Sequence, residues 1–339
     1  LLLANIKVIG LTRNKSKDYV NISNFYSDQN FKLIETDYSE KSLKKIIEDY
    51  EITNIINFAG QSYVSRSWET IEETLTSQSI IVSRFLNIIE KNFQYIKFIN
   101  AGSSEIFAES NERRNELSRR SPCNPYGCSQ LLASSLIKAF RNTKQLWICT
   151  AILFPHESIR RSNDFLFMQI LNQIDQILNG KSKQISIGNP HVIRDWGLAP
   201  EYCFYTILMM MMDSPEDLCI ATGIGTTVNQ FVSLICEEYE INLSKVMHMK
   251  RELVRTYEPI SVVGDNNKLM SKLKVPPPTT ISEMVKKTVD AKREIIKNEL
   301  RIDNISNYLS YDKIQYLKKN KEKFVSNRMR PLKRGLNII

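Results

Sequence analysis

The chain of 339 residues is 42% hydrophobic, enough to bury the core of one large α/β unit or of two closely joined ones, and it contains no run of about eighteen apolar residues that would span a membrane. Its formal charge of +9 is concentrated at one end: residues 291–339 hold thirteen Lys/Arg against five Asp/Glu, while the first 290 residues are close to neutral. A nearly neutral body offers no electrostatic footprint for nucleic acid, and a basic run such as Tyr316 to Lys323 is by default a solvated or disordered end.

In chain order, Leu1-Leu-Leu-Ala-Asn5 reads as the end of a helix. β-Branched runs follow at Ile6–Thr12 and Phe31–Ile34, and apolar residues at three- and four-residue spacing predict a helix over Glu40–Tyr50. A third run at Asn54–Phe58 leads into a long helix over Trp68–Lys91. A fourth at Ile96–Asn100 precedes a helix over Tyr126–Asn142, and a fifth covers Ile148–Phe154. This alternation predicts an α/β fold, a Rossmann-like doubly wound parallel sheet with ligands at the carboxyl ends of its strands. Arg13, Asp37, Ala59 to Ser62, Ser103 to Glu105 and His156 to Ser158 fall at those ends. Such a sheet opens with a strand and a glycine-rich turn whose amides meet a pyrophosphate at a helix N-terminus. The chain has no such turn before its first run, so the expectation is a sheet whose first strand and phosphate loop are missing.

The six cysteines include no Cys-x-x-Cys pair, and Cys149, Cys203 and Cys219 lie in apolar runs. They read as reduced, buried thiols of a cytoplasmic protein. His156, His191 and His248 are too far apart for a helical metal motif. The chemistry gathers in two stretches, Ala101-Gly-Ser-Ser-Glu-Ile-Phe107 and Ser121-Pro-Cys-Asn-Pro-Tyr-Gly-Cys-Ser-Gln130. Together they suggest a hydroxyl, a carboxylate and a phenol around one reacting carbon, a site for moving protons and hydride. Read alone, Ser103 and Ser104 serve equally well as strand-end caps and Glu105 as a surface acid; in register with Tyr126 they point to function.

An ordered set of motifs resembles the GDP-mannose 4,6-dehydratase family of extended short-chain dehydrogenases/reductases over residues 1 to about 290. The set comprises Asn57-Phe-Ala-Gly-Gln-Ser-Tyr-Val64, Ser103-Ser-Glu-Ile-Phe107, Ser121 to Gln130, Ile152-Leu-Phe-Pro-His-Glu-Ser158 with Arg160-Arg161, Ile187-Gly-Asn189, Arg194-Asp-Trp-Gly197 and Arg255-Thr-Tyr-Glu258. The resemblance implies an NADP-binding domain over 1–155, a nucleotide-sugar-binding α/β region over 156–290 interleaved with it, and a basic tail over 291–339. It also implies dehydration of GDP-mannose to GDP-4-keto-6-deoxymannose by internal redox, in a homo-oligomer that pairs near Arg13.

By the same resemblance Tyr126 is the base at the C4 hydroxyl, Glu105 the base at C5 and acid at C6, and Ser103 the hydrogen-bond donor to O4, where the family usually has threonine. Arg13 matches a contact to the 2′-phosphate, with a surface arginine as its bland reading. Asp37 and Tyr38 match the adenine side, and Asp37 serves equally well as an N-cap. Phe58, Ala59, Gly60, Gln61 and Ser62 match the loop beneath the pyrophosphate and nicotinamide, and His156 and Arg161 match further cofactor contacts. Ser62, Ser104, Asn189, Arg194, Arg255 and Glu258 match the nucleotide sugar, arginine suiting a diphosphate through its paired donors. Trp196 reads either as a stacking platform or as core.

Gln130 departs from the pattern, since the family carries lysine there, in Tyr-x-x-x-Lys. Glutamine can hydrogen-bond a ribose but supplies no charge to lower the phenol pKa. Pro155 in place of asparagine and Met168-Gln169 in place of an Arg-Lys pair are further departures. The expectation is therefore a GDP-mannose 4,6-dehydratase of weakened activity. The alternatives are a non-catalytic paralogue that binds nucleotide sugar, or a related NAD(P)-dependent epimerase or dehydratase.

Overall fold

The computed structural model describes residues 1–14, 19–254, 257–298 and 311–325. The first half of the chain alternates strand and helix as its periodicity requires: β1 Val8–Thr12, β2 Phe31–Glu35, α1 Glu40–Asp49, β3 Asn54–Asn57, α2 Ile71–Leu75, α3 Ile81–Asn92, β4 Lys97–Ser103, α4 Pro125–Lys144 and β5 Ile148–Leu153. Local chemistry sets several boundaries. Ser39 caps α1 by accepting the Ser42 N–H, and Asn124 caps α4 with Pro125 at its first position.

The expected long helix over Trp68–Lys91 is not one regular helix. A 3-10 turn covers Ser65–Trp68, the α-helix starts at Ile71, and one π-helical turn over Thr76–Ile80 separates α2 from α3. Its polar residues Ser77, Gln78 and Ser79 are all buried. A run with a uniform 3.6-residue period does not place three successive polar side chains inside, and the wider turn does.

The sheet is parallel but comes in two pieces. β1 pairs with β2, and a separate four-stranded sheet runs β10-β5-β4-β3, with β10 at Leu218–Ile220. In the register of the larger sheet Asn54 faces Lys97, and Ser103 faces Leu153. Between β1 and β3 lies an apolar slot of ≈ 480 Å³ lined by residues of both strands and by α1 side chains such as Leu43 and Ile47. In a doubly wound order this is the place of a central strand. Leu1 to Asn5 forms a single 3-10 turn closed by Asn5 in the left-handed region, φ 54°.

Helices α3 and α4 cover one face of the larger sheet through Phe85, Ile89, Ala133 and Ile137. On the other face α6, Ala199–Met210, packs Tyr202, Tyr205 and Met209 against β4, β5 and β10. A further core joins α5, Leu166–Leu178, to α7, Val228–Glu237, and to α10, Ile281–Asn298. The solvated end expected after residue 291 is contradicted over Tyr311–Lys319. That helix packs on the Leu2–Ala4 turn, buries Leu317 in the main core and pairs Lys313 with the buried carboxylate of Glu201. Apolar positions within the basic run, which the charge count conceals, give it a buried face. Residues 299–310 and 326–339 of the expected tail lie outside the described residues. Among the described residues no helix is long and apolar enough to cross a membrane.

Candidate active site

A cleft of ≈ 450 Å³ opens at the carboxyl ends of β3, β4 and β5. Parallel strands deliver its wall in three steps: the loop after β3 brings Phe58, Ala59, Gly60 and Ser62, β4 ends on Ser103, and the turn after β5 brings Pro155, His156 and Glu157. The first turns of α4 supply Tyr126 and Gln130 from the side. Glu105 sits on the 3-10 turn Ser104–Ile106, whose cap is the Ser103 hydroxyl accepting the Glu105 N–H at 3.2 Å.

Glycine sets how closely these parts approach. A Cβ on Gly127 would overlap the Glu105 carbonyl oxygen, so only glycine lets α4 start directly against that turn. Gly60 has φ +145°, and a Cβ there would overlap the Gln78 carboxamide. The tyrosine and the carboxylate are therefore neighbours because of a glycine next to Tyr126.

Asn124 orders the acid. Its Oδ1 accepts the Gly127 N–H at 2.8 Å and its Nδ2 donates to Glu105 Oε2 at 2.8 Å. Burial raises the Tyr126 phenol above its ordinary pKa. The Ser103 hydroxyl, the Gln130 amide and the charge of Arg161 act to lower it, and Glu105 adds to the rise. Gln130 is buried, with Nε2 2.6 Å from Gln78 Oε1 and 3.4 Å from the phenol oxygen. Burial also holds His156 down to about 4, so it is neutral at pH 7. Its Nδ1 lies 2.8 Å from the Phe154 carbonyl, which can only accept; the proton is therefore on Nδ1 and Nε2 is an acceptor. Glu157 is pushed up to about 7 by burial, against the pull of Arg161, whose Nε is 3.6 Å from Glu157 Oε2.

The far wall is formed by Arg194, Glu258, Val192 and Trp196. Arg194 is bound within the protein: it contacts Glu258 at 3.1 Å and donates to the carbonyls of Ile193 and Pro259. Trp196 faces the cleft but stacks on Phe231 at 4.4 Å, so it serves mainly as core. Asp195, between them in the sequence, is fully buried and accepts from Thr222, Gly223 and Gly264.

Of the residues singled out in the sequence, Ser104, Arg161, Ser103, Glu105, Tyr126 and Gln130 thus share the cleft with the Phe58–Ser62 loop, His156, Arg194 and Glu258. Gln61 turns away to bond the Tyr63 backbone. Asn189 accepts the His191 N–H in a local turn outside the cleft lining. Arg13 is exposed, 3.8 Å from Glu73. Asp37 accepts the Ser39 N–H, a bond that together with the Ser42 and Ser39 hydroxyls lowers its carboxyl to about 2, and Ser39 rather than Asp37 is the cap of α1. Tyr38 is buried and lines the slot beside β1 instead of the cleft. Arg255 lies outside the described residues. Sequence reasoning missed Asn124, Glu157 and Gln78. Asn124-Pro125 carries a readable helix-start signal, whereas Gln78 depends on the π turn.

The residues present suit the nicotinamide half of a dinucleotide. A glycine loop permits close approach, and Gln130 Oε1, Glu157 Oε2 and Arg161 Nε are buried without a hydrogen-bond partner on residues that line the cleft. Among the described residues no cluster of three metal-binding side chains occurs.

The parallel α/β sheet, with a cleft at the carboxyl ends of β3, β4 and β5, defines a Rossmann-like α/β protein. Solved structures share this fold at under 25% identity. The UDP-glucuronic acid 4-epimerase from Bacillus cereus, in complex with UDP-glucuronic acid and NAD, is 18% identical at TM-score 0.73, and the match covers 85% of this chain and 91% of that one. The dTDP-glucose 4,6-dehydratase of Bacillus anthracis, also with NAD, is 17% identical at TM-score 0.73, covering 86% and 89%. The chain belongs to the GDP-mannose 4,6-dehydratase family, whose model matches residues 1–288. It is 31% identical over 290 residues to the GDP-mannose 4,6 dehydratase of Cricetulus griseus, covering 79% of this chain and 78% of that protein. It is 28% identical over 311 residues to GDP-mannose 4,6 dehydratase 2 of Arabidopsis thaliana, covering 88% and 83%.

Proposed function

We propose that the protein is a lyase that dehydrates GDP-mannose, or a closely related nucleotide sugar, to the 4-keto-6-deoxy sugar, with bound NADP and at a rate lowered by Gln130. The observation that supports this most is the convergence of Ser103, Glu105 and Tyr126 on one wall of the cleft, beside the Gly60 loop. A nicotinamide held there would supply reversible hydride transfer, with no net consumption of the cofactor.

The chain's own groups handle the protons. Tyr126, once ionised, takes the proton of the C4 hydroxyl, and the Ser103 hydroxyl donates to O4. A carbonyl at C4 acidifies the C5 hydrogen, so a carboxylate can remove it; Glu105 does so and passes the proton to the hydroxyl that leaves C6 as water, and once C6 is reduced C5 takes up a proton that balances the one Tyr126 removed from the C4 hydroxyl. Asn124 keeps one oxygen of Glu105 fixed during the exchange. Ala59, Gly60, Ser62, Gln130, His156 and Arg161 would hold the nicotinamide half of the cofactor, with Arg13, Asp37 and Tyr38 toward the adenosine. Ser104, Asn189, Arg194, Arg255 and Glu258 would take the sugar nucleotide. Assembly as a homo-oligomer through the Arg13 region belongs to the same reading.

The test is isotopic. Full-length protein given NADP and GDP-mannose deuterated at C4 should yield a product lighter by one water that carries the deuterium at C6. Binding of the nucleotide sugar with no water lost would identify a non-catalytic binder instead.

A further inference from the structure

The carboxamide of Gln130 has two unlike ends, and which of them meets Tyr126 decides whether the phenol is helped to ionise. An N–H against the phenol oxygen stabilises the anion, whereas a carbonyl oxygen there opposes it. The orientation follows from a backbone group two steps away. The Gln61 carbonyl can only accept, so the amide facing it must be Nε2 of Gln78. Gln78 then turns Oε1 toward Gln130, which must answer with its own Nε2, 2.6 Å away. The same Nε2 lies 3.4 Å from the phenol oxygen, and Gln130 Oε1 is left on the other side, buried and without a partner.

The position of Gln78 suits such a relay. It is buried on the single π turn of the helix 71–92, where Ser77 accepts the Gln61 N–H and Ser79 bonds Ser129 of α4. Gly60 has no Cβ where the Gln78 carboxamide lies. A π turn in an otherwise regular helix is a common mark of a functional position.

We propose that Gln78 is a positioning residue for Tyr126, acting through Gln130: the chain Gln61 carbonyl, Gln78, Gln130 holds the donor end of the Gln130 amide against the phenol. The inference rests on the reading of Tyr126 as the base. Glu105 and Arg161 are the charged groups acting on the phenol; the first opposes its ionisation and the second favours it.

The experiment reads Tyr126 directly. In protein labelled with 13C at the tyrosine Cζ, with Tyr126→Phe identifying the resonance, the Tyr126 titration should move to higher pH in Gln78→Met. Turnover at neutral pH should fall about fivefold, the worth of one hydrogen bond, with KM little changed. In a Gln130→Lys background, where residue 130 can only donate, Gln78→Met should leave the Tyr126 titration in place. An unmoved titration in the single variant, or an equal shift in both backgrounds, overturns the proposal; equal shifts would mean a purely structural role. The unmutated protein gives a reading that needs no variant, since the Gln130 amide protons should show NOEs to the Tyr126 ring, and their absence also overturns it. These spectra need no turnover, so loss of the dehydratase reading would not mimic loss of this one.

Discussion

Asn124 and Glu105 are joined by one 2.8 Å hydrogen bond, made by the same side chain that caps α4. Helix start and carboxylate orientation therefore depend on each other. Replacing Asn124 with alanine removes the cap, at a cost of about 1 kcal/mol, and frees Glu105, with an expected loss in kcat of about tenfold to a hundredfold. Asn124→Asp separates the two effects: the cap survives, while a second carboxylate faces Glu105. Thermal denaturation should show Asp near the unmutated protein and Ala below it, with turnover reduced in both.

In the proposed reaction Tyr126 acts only when ionised, and its pKa is raised chiefly by burial. The rate is therefore expected to climb with pH through neutrality and beyond. Gln130→Lys places a cation beside the phenol, favours the anion and should move the whole profile to lower pH, raising the neutral rate about tenfold or more. A pH–rate series on the two proteins checks this, and a profile that does not move would overturn the proposed effect of Gln130 on the rate.

Glu157 carries a stability signature. Its carboxyl is raised to about 7 by burial from an ordinary 4.5. Below pH 4.5 it is neutral both folded and unfolded and costs nothing. Between 4.5 and 7 the unfolded chain ionises first, so stability falls as pH rises, and above 7 the loss is complete. Glu157→Gln has no such charge to bury. It should melt higher than the unmutated protein at pH 8, by up to about 3 kcal/mol in stability, and no higher at pH 4.

Asp195 receives three backbone N–H groups and the Thr222 hydroxyl in a fully buried position. Asn at this place turns one accepting oxygen into an amino group facing donors. Asp195→Asn is expected to lose about 2–4 kcal/mol, measured by urea denaturation, which would assign this motif residue to the scaffold.

The strand and helix order, the placement of the loops that line the cleft and the gathering of Ser103 and Glu105 with Tyr126 were legible because each follows from period or from a motif of fixed spacing. The adenosine-side assignments were less so. Tyr38 looks like a loop residue after a strand, yet its backbone takes φ 56° and its ring is buried beside the slot. Gln78 was illegible because its role depends on a local change of helical pitch, and so was the internal pairing of Arg194, whose guanidinium is held by the Pro259 carbonyl and Glu258, some 65 residues away. Long-range partners of a charged group leave no trace in spacing.

The gap between β1 and β3 has a thermodynamic consequence. Among the described residues no hydrogen-bonded ladder crosses it, so the β1–β2 pair is tied to the rest by side-chain packing, by scattered polar contacts such as Arg13 with Glu73, and by the covalent chain. Its amides should exchange with solvent through a smaller opening free energy than those of β4 and β5, making it a cooperative unit of its own. Anything that fills the gap with paired backbone would merge the two units into one.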